Sequence, residues 1–314
     1  SEIKSTSKNG TVYLEDVKRA LEERKVGAED HTDGLLKPSR EWLTVAHNLE
    51  AAHFSFRKPE DWVLWVRETG VRVVPIAGGG PESVDLSFIL DFKKEFGFWF
   101  EAIYGIKFRP WMPVAYAVTK TLAKDLFRYM NGYWYVADRK NPDKDMVVLY
   151  PHVNLGFSYD RSILPSIDTS KGEIGNQRLR ILTLHESETF SVADFCMHVD
   201  NLLGRAEIDT KENRGKLKNL SMKDVRDHTF IFNNIGGAGD SHGTSLLTPG
   251  VSGIFNFGRM RHDGTVIIEM FFDHRLIDGG PKGKFIDTVI AESKNAVAEL
   301  QEKIKRELRD KLAK

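Results

Sequence analysis

One cysteine, Cys196, is all that the 314 residues contain. A lone cysteine excludes an internal disulfide framework and a cysteine-based zinc site, and it accords with a reducing compartment. Net charge is missing too, since 45 basic and 45 acidic residues cancel. That balance leaves no whole-molecule field to draw in nucleic acid or an anionic membrane, so neither is expected as a partner. No apolar run approaches the ~20 residues that span a bilayer. The first residues, SEIKSTSKNG, are polar and carry no signal-peptide core. Repeats and low-complexity tracts are also lacking.

What is present is enough chain for one large domain or two small ones. Residues 11–25 place Tyr13, Val17, Ala20 and Leu21 on one helical stripe, and a polar linker follows. Apolar content rises from Leu35. Helical spacing is expected over 41–56, 85–103, 113–130 and 189–204, the last opened by Ser191 as N-cap. Strands are expected at 71–77, 146–150, 153–159 and 228–235. Near the end, GVSGIFNFGRM and TVIIEMFF flank Asp263-Gly264, a hairpin signal. TVIIEMFF is apolar at nearly every position, which implies burial on both faces. A long helix closes the chain, with Val297, Leu300, Ile304 and Leu308 in a stripe. Strands and helices interleave without a regular βαβ beat. The expectation is one α/β domain with a mixed β-sheet flanked by helices over 35–314, preceded by a helix and linker over 1–34.

The string that carries chemistry is FFDHRLIDGG, residues 271–280. It follows a buried strand and precedes a helix, so His274 emerges where a side chain can face a channel. Asp278 follows four residues later, and Gly279 and Gly280 permit close backbone approach. An imidazole of ordinary pKa near 6.5 can take a proton from a thiol near 8.5. Taken alone, a strand-end histidine near an aspartate is more often structural than catalytic.

The whole string resembles the DHRxxDG signature of the dihydrolipoamide acyltransferases. These are the trimeric, CoA-dependent acyl-transfer cores of 2-oxoacid dehydrogenase complexes, with the chloramphenicol acetyltransferase-like fold. VDLSFILDFKKEF (84–96), the helix of 107–134, the strand pair of 147–168 and KLKNLSMKDVRDHTFIFNNIGGAG (216–239) are similar to segments of that family in the same order. The resemblance implies a transferase that moves an acyl group between CoA, as substrate, and a thiol such as dihydrolipoamide. His274 would be the general base, and Asp278 a buried orienting carboxylate paired with an arginine, for which Arg40 is a candidate. Gly236, Gly237 and Arg275 would line the substrate channel. It further implies a homotrimer or a multiple of three with the site between subunits, and lipoyl domains or other complex subunits as partners. The apolar stripe of the last helix and the aromatics of 96–111 offer surface for such assembly. No lipoyl domain is visible, so a lipoyl group would arrive in trans. The location implied is the cytoplasm, or the mitochondrial matrix in a eukaryote.

Two features depart from the family pattern. Asn233 stands where the family has a serine or threonine hydroxyl that donates to the oxyanion. An asparagine amide can also donate, or can merely satisfy turn backbone. Residues 57–84 contain more sequence than the family's link at this point. The glycine-rich GGAGDSHG has neither Rossmann nor P-loop spacing, and His242, His262 and His274 lack metal-ligand spacing, so no metal is expected. Residues 11–25 weakly resemble the end of a peripheral subunit-binding domain, but only half of one. Two alternatives stand beside the acyl-CoA-to-thiol reading. One is a stand-alone acyltransferase acting on a small amine or hydroxyl. The other is a non-catalytic structural core subunit in which the oxyanion donor has drifted.

Overall fold

A computed structural model of the chain describes residues 34–81, 83–160, 179–213 and 217–312. The expected helix at 11–25 lies outside the described residues, as does most of the strand pair's far end at 161–168. In chain order the first half holds β1 (Leu35–Leu36), α1 (Arg40–His53), α2 (Pro59–Thr69), β2 (Ile76–Gly79), β3 (Val84–Asp85), α3 (Ser87–Tyr104) and α4 (Met112–Leu122). Then follow β4 (Gly132–Tyr135), β5 (Met146–Leu149), β6 (Leu155–Asp160), β7 (Leu179–Leu184) and α5 (Val192–Lys211). The last third holds β8 (Phe230–Asn234), β9 (Gly253–Phe257), β10 (Thr265–Val266), β11 (Ile268–Asp273) and α6 (Gly279–Leu312).

Six strands form the main sheet in the order β2-β11-β9-β8-β6-β7. β8 runs parallel to β6 and β9, while β11 is antiparallel to β9 and β2, and β7 antiparallel to β6. The sheet is therefore mixed. The hairpin joining β9 to β11 turns through Gly264 at φ 84°, where a Cβ would lie 2.4 Å from Ser87 Cα, so only glycine fits. A smaller antiparallel sheet, β1-β5-β4, stands apart from the main one.

One face of the main sheet carries the core. α4 reads apolar nearly all round, and every residue of it is buried except the half-buried Lys120. Just before it, Trp111 sits over Phe157 of β6 and Phe232 of β8, with centroids 5.9 and 5.8 Å away. α6 crosses the same face, and its Phe285 meets Phe127, Phe230 and Phe255. Burying one such side chain stabilises the fold by roughly 1.5–3 kcal/mol. Val297, Leu300 and Ile304 of α6 are buried within this chain. That stripe is therefore spent on the chain's own core and is not free for assembly. On the opposite face Ile231 and Ile254 are covered by the loop bearing Leu247 and Val251.

The expected strand at 71–77 is displaced to Ile76–Gly79. Pro75 has no N–H to give a ladder, and pairing to β11 starts only at Ile76. The expected helix over 113–130 stops at Leu122 and resumes as a 3-10 segment at Asp125–Met130. α2 was not anticipated, although Pro59 opens it and Gly70, at φ 68°, closes it. Ser191 caps α5 as expected, accepting from the Asp194 N–H. Cys196 is a buried core thiol whose pKa is pushed far up by burial. Among the aromatics of 96–111, Phe98 and Trp99 stand together on the exposed side of α3.

Candidate active site

β11 delivers the reactive string. Its last residue, Asp273, pairs with Ile76 of β2, and the chain then turns before α6 starts at Gly279. His274 lies on that turn, its backbone N–H donating to Pro75 O at 2.8 Å. Its ring is 30% exposed and opens on a cleft of about 530 Å³ walled by Trp42, Val45, Tyr129, Leu276 and Pro281. Nδ1 is buried, lies 3.5 Å from Asp278 Oδ1 and makes no hydrogen bond among the described residues.

Asp278 corrects the expectation of a buried carboxylate held by arginine. Its side chain is 64% exposed, and among the described residues no ion pair joins it to Arg40. Arg40 is exposed at the first position of α1. The physical reason is that Asp278 immediately precedes a helix start at the rim of the cleft, where solvent satisfies its charge.

Arg275, which the resemblance put among the substrate contacts, also lines the cleft, but its side chain is 3% exposed and each of its guanidinium nitrogens bonds within the protein. It grips Asp273 with two N–H groups, Nε to Oδ1 at 3.0 Å and Nη2 to Oδ2 at 2.7 Å. Its remaining nitrogen, Nη1, donates to Glu50 Oε1 at 3.1 Å. Burial alone would lower this guanidinium's pKa, but the carboxylates of Asp273 and Glu50 outweigh it and hold the pKa above its ordinary value.

Asn233 ends β8. Its amide oxygen accepts from the Ser158 hydroxyl, and one of its Nδ2 hydrogens goes to Asn256 Oδ1 at 3.1 Å. Asn256 Nδ2 is itself given to Gly243 O at 2.8 Å, which fixes which end of each amide faces the other. One N–H of the partly exposed Asn233 remains without a partner in the described network. Gly236 follows in the 3-10 turn Ile235–Ala238, where a Cβ would come within 2.5 Å of Gly258 O. Its glycine is thus explained by close packing of the turn on the β9 exit. Gly237 lies beside the Asn234 amide and is exposed.

The sheet register separates the two halves of this candidate site. Asn233 stands beside Asn256, and Asn256 beside Glu269 of β11. His274 lies five residues further along the β11 direction, about 17 Å at the rise of an antiparallel strand. One reacting centre cannot touch both within a single chain.

Trp42 and Tyr129 are cleft residues that sequence reasoning missed. The Trp42 indole N–H donates to Arg275 O at 2.6 Å. Burial first, and the Asp278 charge second, raise the Tyr129 phenol above its ordinary pKa, so it stays a hydrogen-bond donor at neutral pH. Neither lies in a string with a local signature. Among the described residues no group of three or more His, Cys, Asp or Glu is placed to hold a metal.

Residues 203–297 match the family model described as 2-oxoacid dehydrogenases acyltransferase (catalytic domain). That stretch is similar to those acyltransferase domains. The matched stretch includes Asn233, His274 and Asp278. The 2-oxoglutarate dehydrogenase E1/E2 component of Corynebacterium glutamicum is 26% identical over 177 residues, covering 51% of this chain and 13% of that protein. The dihydrolipoyllysine-residue acetyltransferase component of the pyruvate dehydrogenase complex of the same organism is 25% identical over 169 residues, covering 46% of this chain and 23% of that protein. The chain therefore spans less than a quarter of the length of these two relatives. Among solved structures, a probable dihydrolipoamide acetyltransferase from Listeria monocytogenes superposes with a TM-score of 0.55 at 17% identity, covering 77% of this chain and 92% of that one. The cubic core of the pyruvate dehydrogenase multienzyme complex does so at 0.54 and 15%, covering 76% and 89%. The fold is that of the acyltransferase cores of 2-oxoacid dehydrogenase complexes.

Proposed function

We propose that the chain is an acyltransferase that moves an acyl group between CoA and a thiol such as dihydrolipoamide, with His274 as general base. The observation that carries this reading is the part-exposed imidazole just past the end of β11, which lines a cleft with Asp278 3.5 Å from its Nδ1. In the step proposed, Nε2 takes the proton of the acceptor thiol. The thiolate attacks the carbonyl carbon of the acyl thioester, and the negative charge moves to the carbonyl oxygen. Collapse expels the other thiolate, which recovers the proton from the imidazolium. A base positioned this way contributes roughly 10²–10⁴-fold. CoA enters as substrate, and a lipoyl group would be presented by another protein.

The developing oxyanion calls for a donor, and the free Asn233 N–H is the candidate. The 17 Å offset along the sheet, about the rise of five residues, supports a site shared between copies, His274 from one and Asn233 from its neighbour. A trimer or a multiple of three follows as the proposed assembly, in line with the multienzyme core that shares the fold. Lipoyl-bearing subunits are the proposed partners, and the cytoplasm, or the matrix of a mitochondrion, is the proposed location. No helix among the described residues is long and apolar enough to cross a membrane. The kinship to acyltransferase domains gives the structural-core alternative no support.

The test is turnover of acetyl-, propionyl- and succinyl-CoA with dihydrolipoamide, followed by release of the CoA thiol. Transfer by the parent chain and a loss of about 10²-fold or more in His274→Ala are expected. A parent that transfers none of these groups, or an alanine variant with parental turnover, would refute the reading.

A further inference from the structure

Five charged side chains form an unbroken buried chain behind the His274 turn: Asp273, Arg275, Glu50, Arg72 and Asp145. Glu50, on α1, has no exposed surface and bridges two guanidiniums. Its Oε1 accepts from Arg275 Nη1 at 3.1 Å and from Arg72 Nη2 at 2.8 Å, and its Oε2 accepts from Arg72 Nε at 2.9 Å. The other edge of Arg72 donates to both oxygens of Asp145, and the Trp134 indole donates to Asp145 Oδ2 at 2.7 Å. Both arginines also lie over indole rings, Arg72 at 5.5 Å from Trp62 and Arg275 at 5.7 Å from Trp134.

Burying these charges costs several kcal/mol per ion, and apolar residues of similar volume would often serve stability as well. What the forked pairs supply is fixed geometry. They tie α1, the segment after α2 and the β4–β5 sheet to the two residues flanking His274. The same segment acts on His274 directly, because Pro75, three residues after Arg72, accepts the His274 N–H at 2.8 Å. On the far side Trp42 holds the Arg275 carbonyl. Arg72 and Pro75 both lie in the stretch 57–84 that exceeds the family's usual link.

We infer that Arg72 and Glu50 are positioning residues for His274: the extra segment after α2 is a brace that fixes the histidine turn through Arg275 and through the Pro75 carbonyl. The inference deepens the acyl-transfer reading, and only the activity part of its test rests on that reading. General-base catalysis is sensitive to displacements of about 1 Å, which can cost roughly 10²-fold. A brace that acts on His274 should therefore be felt in kcat more than in KM.

The test is amide hydrogen exchange of the full chain, read by mass spectrometry, together with steady-state acyl transfer. Arg72→Met keeps length and removes the fork. It is expected to speed exchange in the 270–278 peptide by about tenfold or more while the β8–β9 amides keep parental rates. It is also expected to lower kcat about tenfold or more with KM for the acyl-CoA within about twofold. Arg72→Lys should recover part of both. Glu50→Gln, which preserves shape, is the second variant should Arg72→Met not fold. A folded variant with parental exchange in 270–278 overturns the inference, and so does a loosened turn with parental kcat. Failure of both variants to fold would make the network a folding requirement and overturn it as well. If the parent transfers no acyl group, the acyl-transfer reading falls and the exchange data decide the brace alone.

Discussion

Arg275 donates both its backbone N–H and its guanidinium Nε to one oxygen, Asp273 Oδ1, each at 3.0 Å. The two residues on either side of His274 are thus locked to each other rather than to a ligand. Removing the guanidinium would leave two buried carboxylates, Asp273 and Glu50, short of a partner. Arg275→Ala should destabilise the protein by about 3–5 kcal/mol, the cost of breaking a buried pair. Urea unfolding measures it, and Arg275→Lys should lie between, since it keeps charge without the fork. A stable Arg275→Ala with a raised KM for acyl-CoA would instead restore the substrate contact first expected of this residue.

Asp278 should matter less than its place in the motif suggests. It is largely exposed, and its 3.5 Å approach to Nδ1 is too long for a strong bond. Asp278→Asn is expected to lower kcat by less than about tenfold, against about 10²-fold or more for His274→Ala in the same assay. Equal losses in the two variants would mean that the carboxylate orients the ring after all.

The sequence announced the parts whose signals are local. α4 is apolar at nearly every position and is buried, whereas β11, expected to be buried on both faces, buries Ile268, Met270 and Phe272 on one and leaves Glu269 and Phe271 half-buried on the other. Asp263-Gly264 marks the hairpin, and Ser191 marks the start of α5. The brace could not be foreseen, because Glu50 meets Arg72 across 22 residues, Arg72 meets Asp145 across 73, and Arg275 meets Glu50 across 225. Periodicity carries no information about such pairs. The separation of Asn233 from His274 was hidden for a related reason. Each lies at a legible strand end, but which ends meet depends on strand order and direction. Pro59 at the first turn and Gly70 at the C-cap of α2 are local signals legible in the sequence.

Asp209 of α5 ties down the stretch that leads into β8. Its carboxylate accepts from the backbone N–H groups of Lys218, Asn219 and Leu220, and from the side chains of Asn213 and Asn219. Burial pushes this carboxyl up, but the donors outweigh it and bring its pKa to about 2, against 3.8 for the free group. A depressed carboxylate contributes its stability above the unfolded value and loses it as pH falls through the folded one. The contribution, about 2 kcal/mol, should be complete above pH ~4 and lost toward pH ~2. Asp209→Asn should therefore lie below the parent in urea unfolding at pH ~5, with the gap closing as pH falls toward ~2. A gap that does not change with pH would show that the carboxylate's charge is not what anchors this segment.

A site shared between copies makes a prediction that a site within one chain does not. His274 and Asn233 are about 17 Å apart along the sheet, five residues of strand rise, so each copy holds one half of the proposed chemistry at each end. Asn233→Ala should cut kcat by the 10²–10³-fold typical of one oxyanion donor, with little change in KM, because that bond strengthens only in the transition state. Asn233→Ser should recover part of the loss by supplying a hydroxyl. His274→Ala should be at least as damaged. If the two variants are unfolded, mixed in equal amounts and refolded together, a cyclic trimer reassembles at random. A productive site then needs the intact histidine of one copy beside the intact asparagine of the next, which random mixing supplies at about one site in four. The mixture should therefore regain about a quarter of parental turnover, while each variant refolded alone stays inactive. Sedimentation or light scattering on the same samples establishes that trimers have formed. Trimers that regain no activity would place both residues' chemistry within one copy or remove Asn233 from it. Asn233→Ala alone separates those two, since unchanged turnover per folded molecule would leave the asparagine a loop-satisfying residue bonded to Ser158 and Asn256.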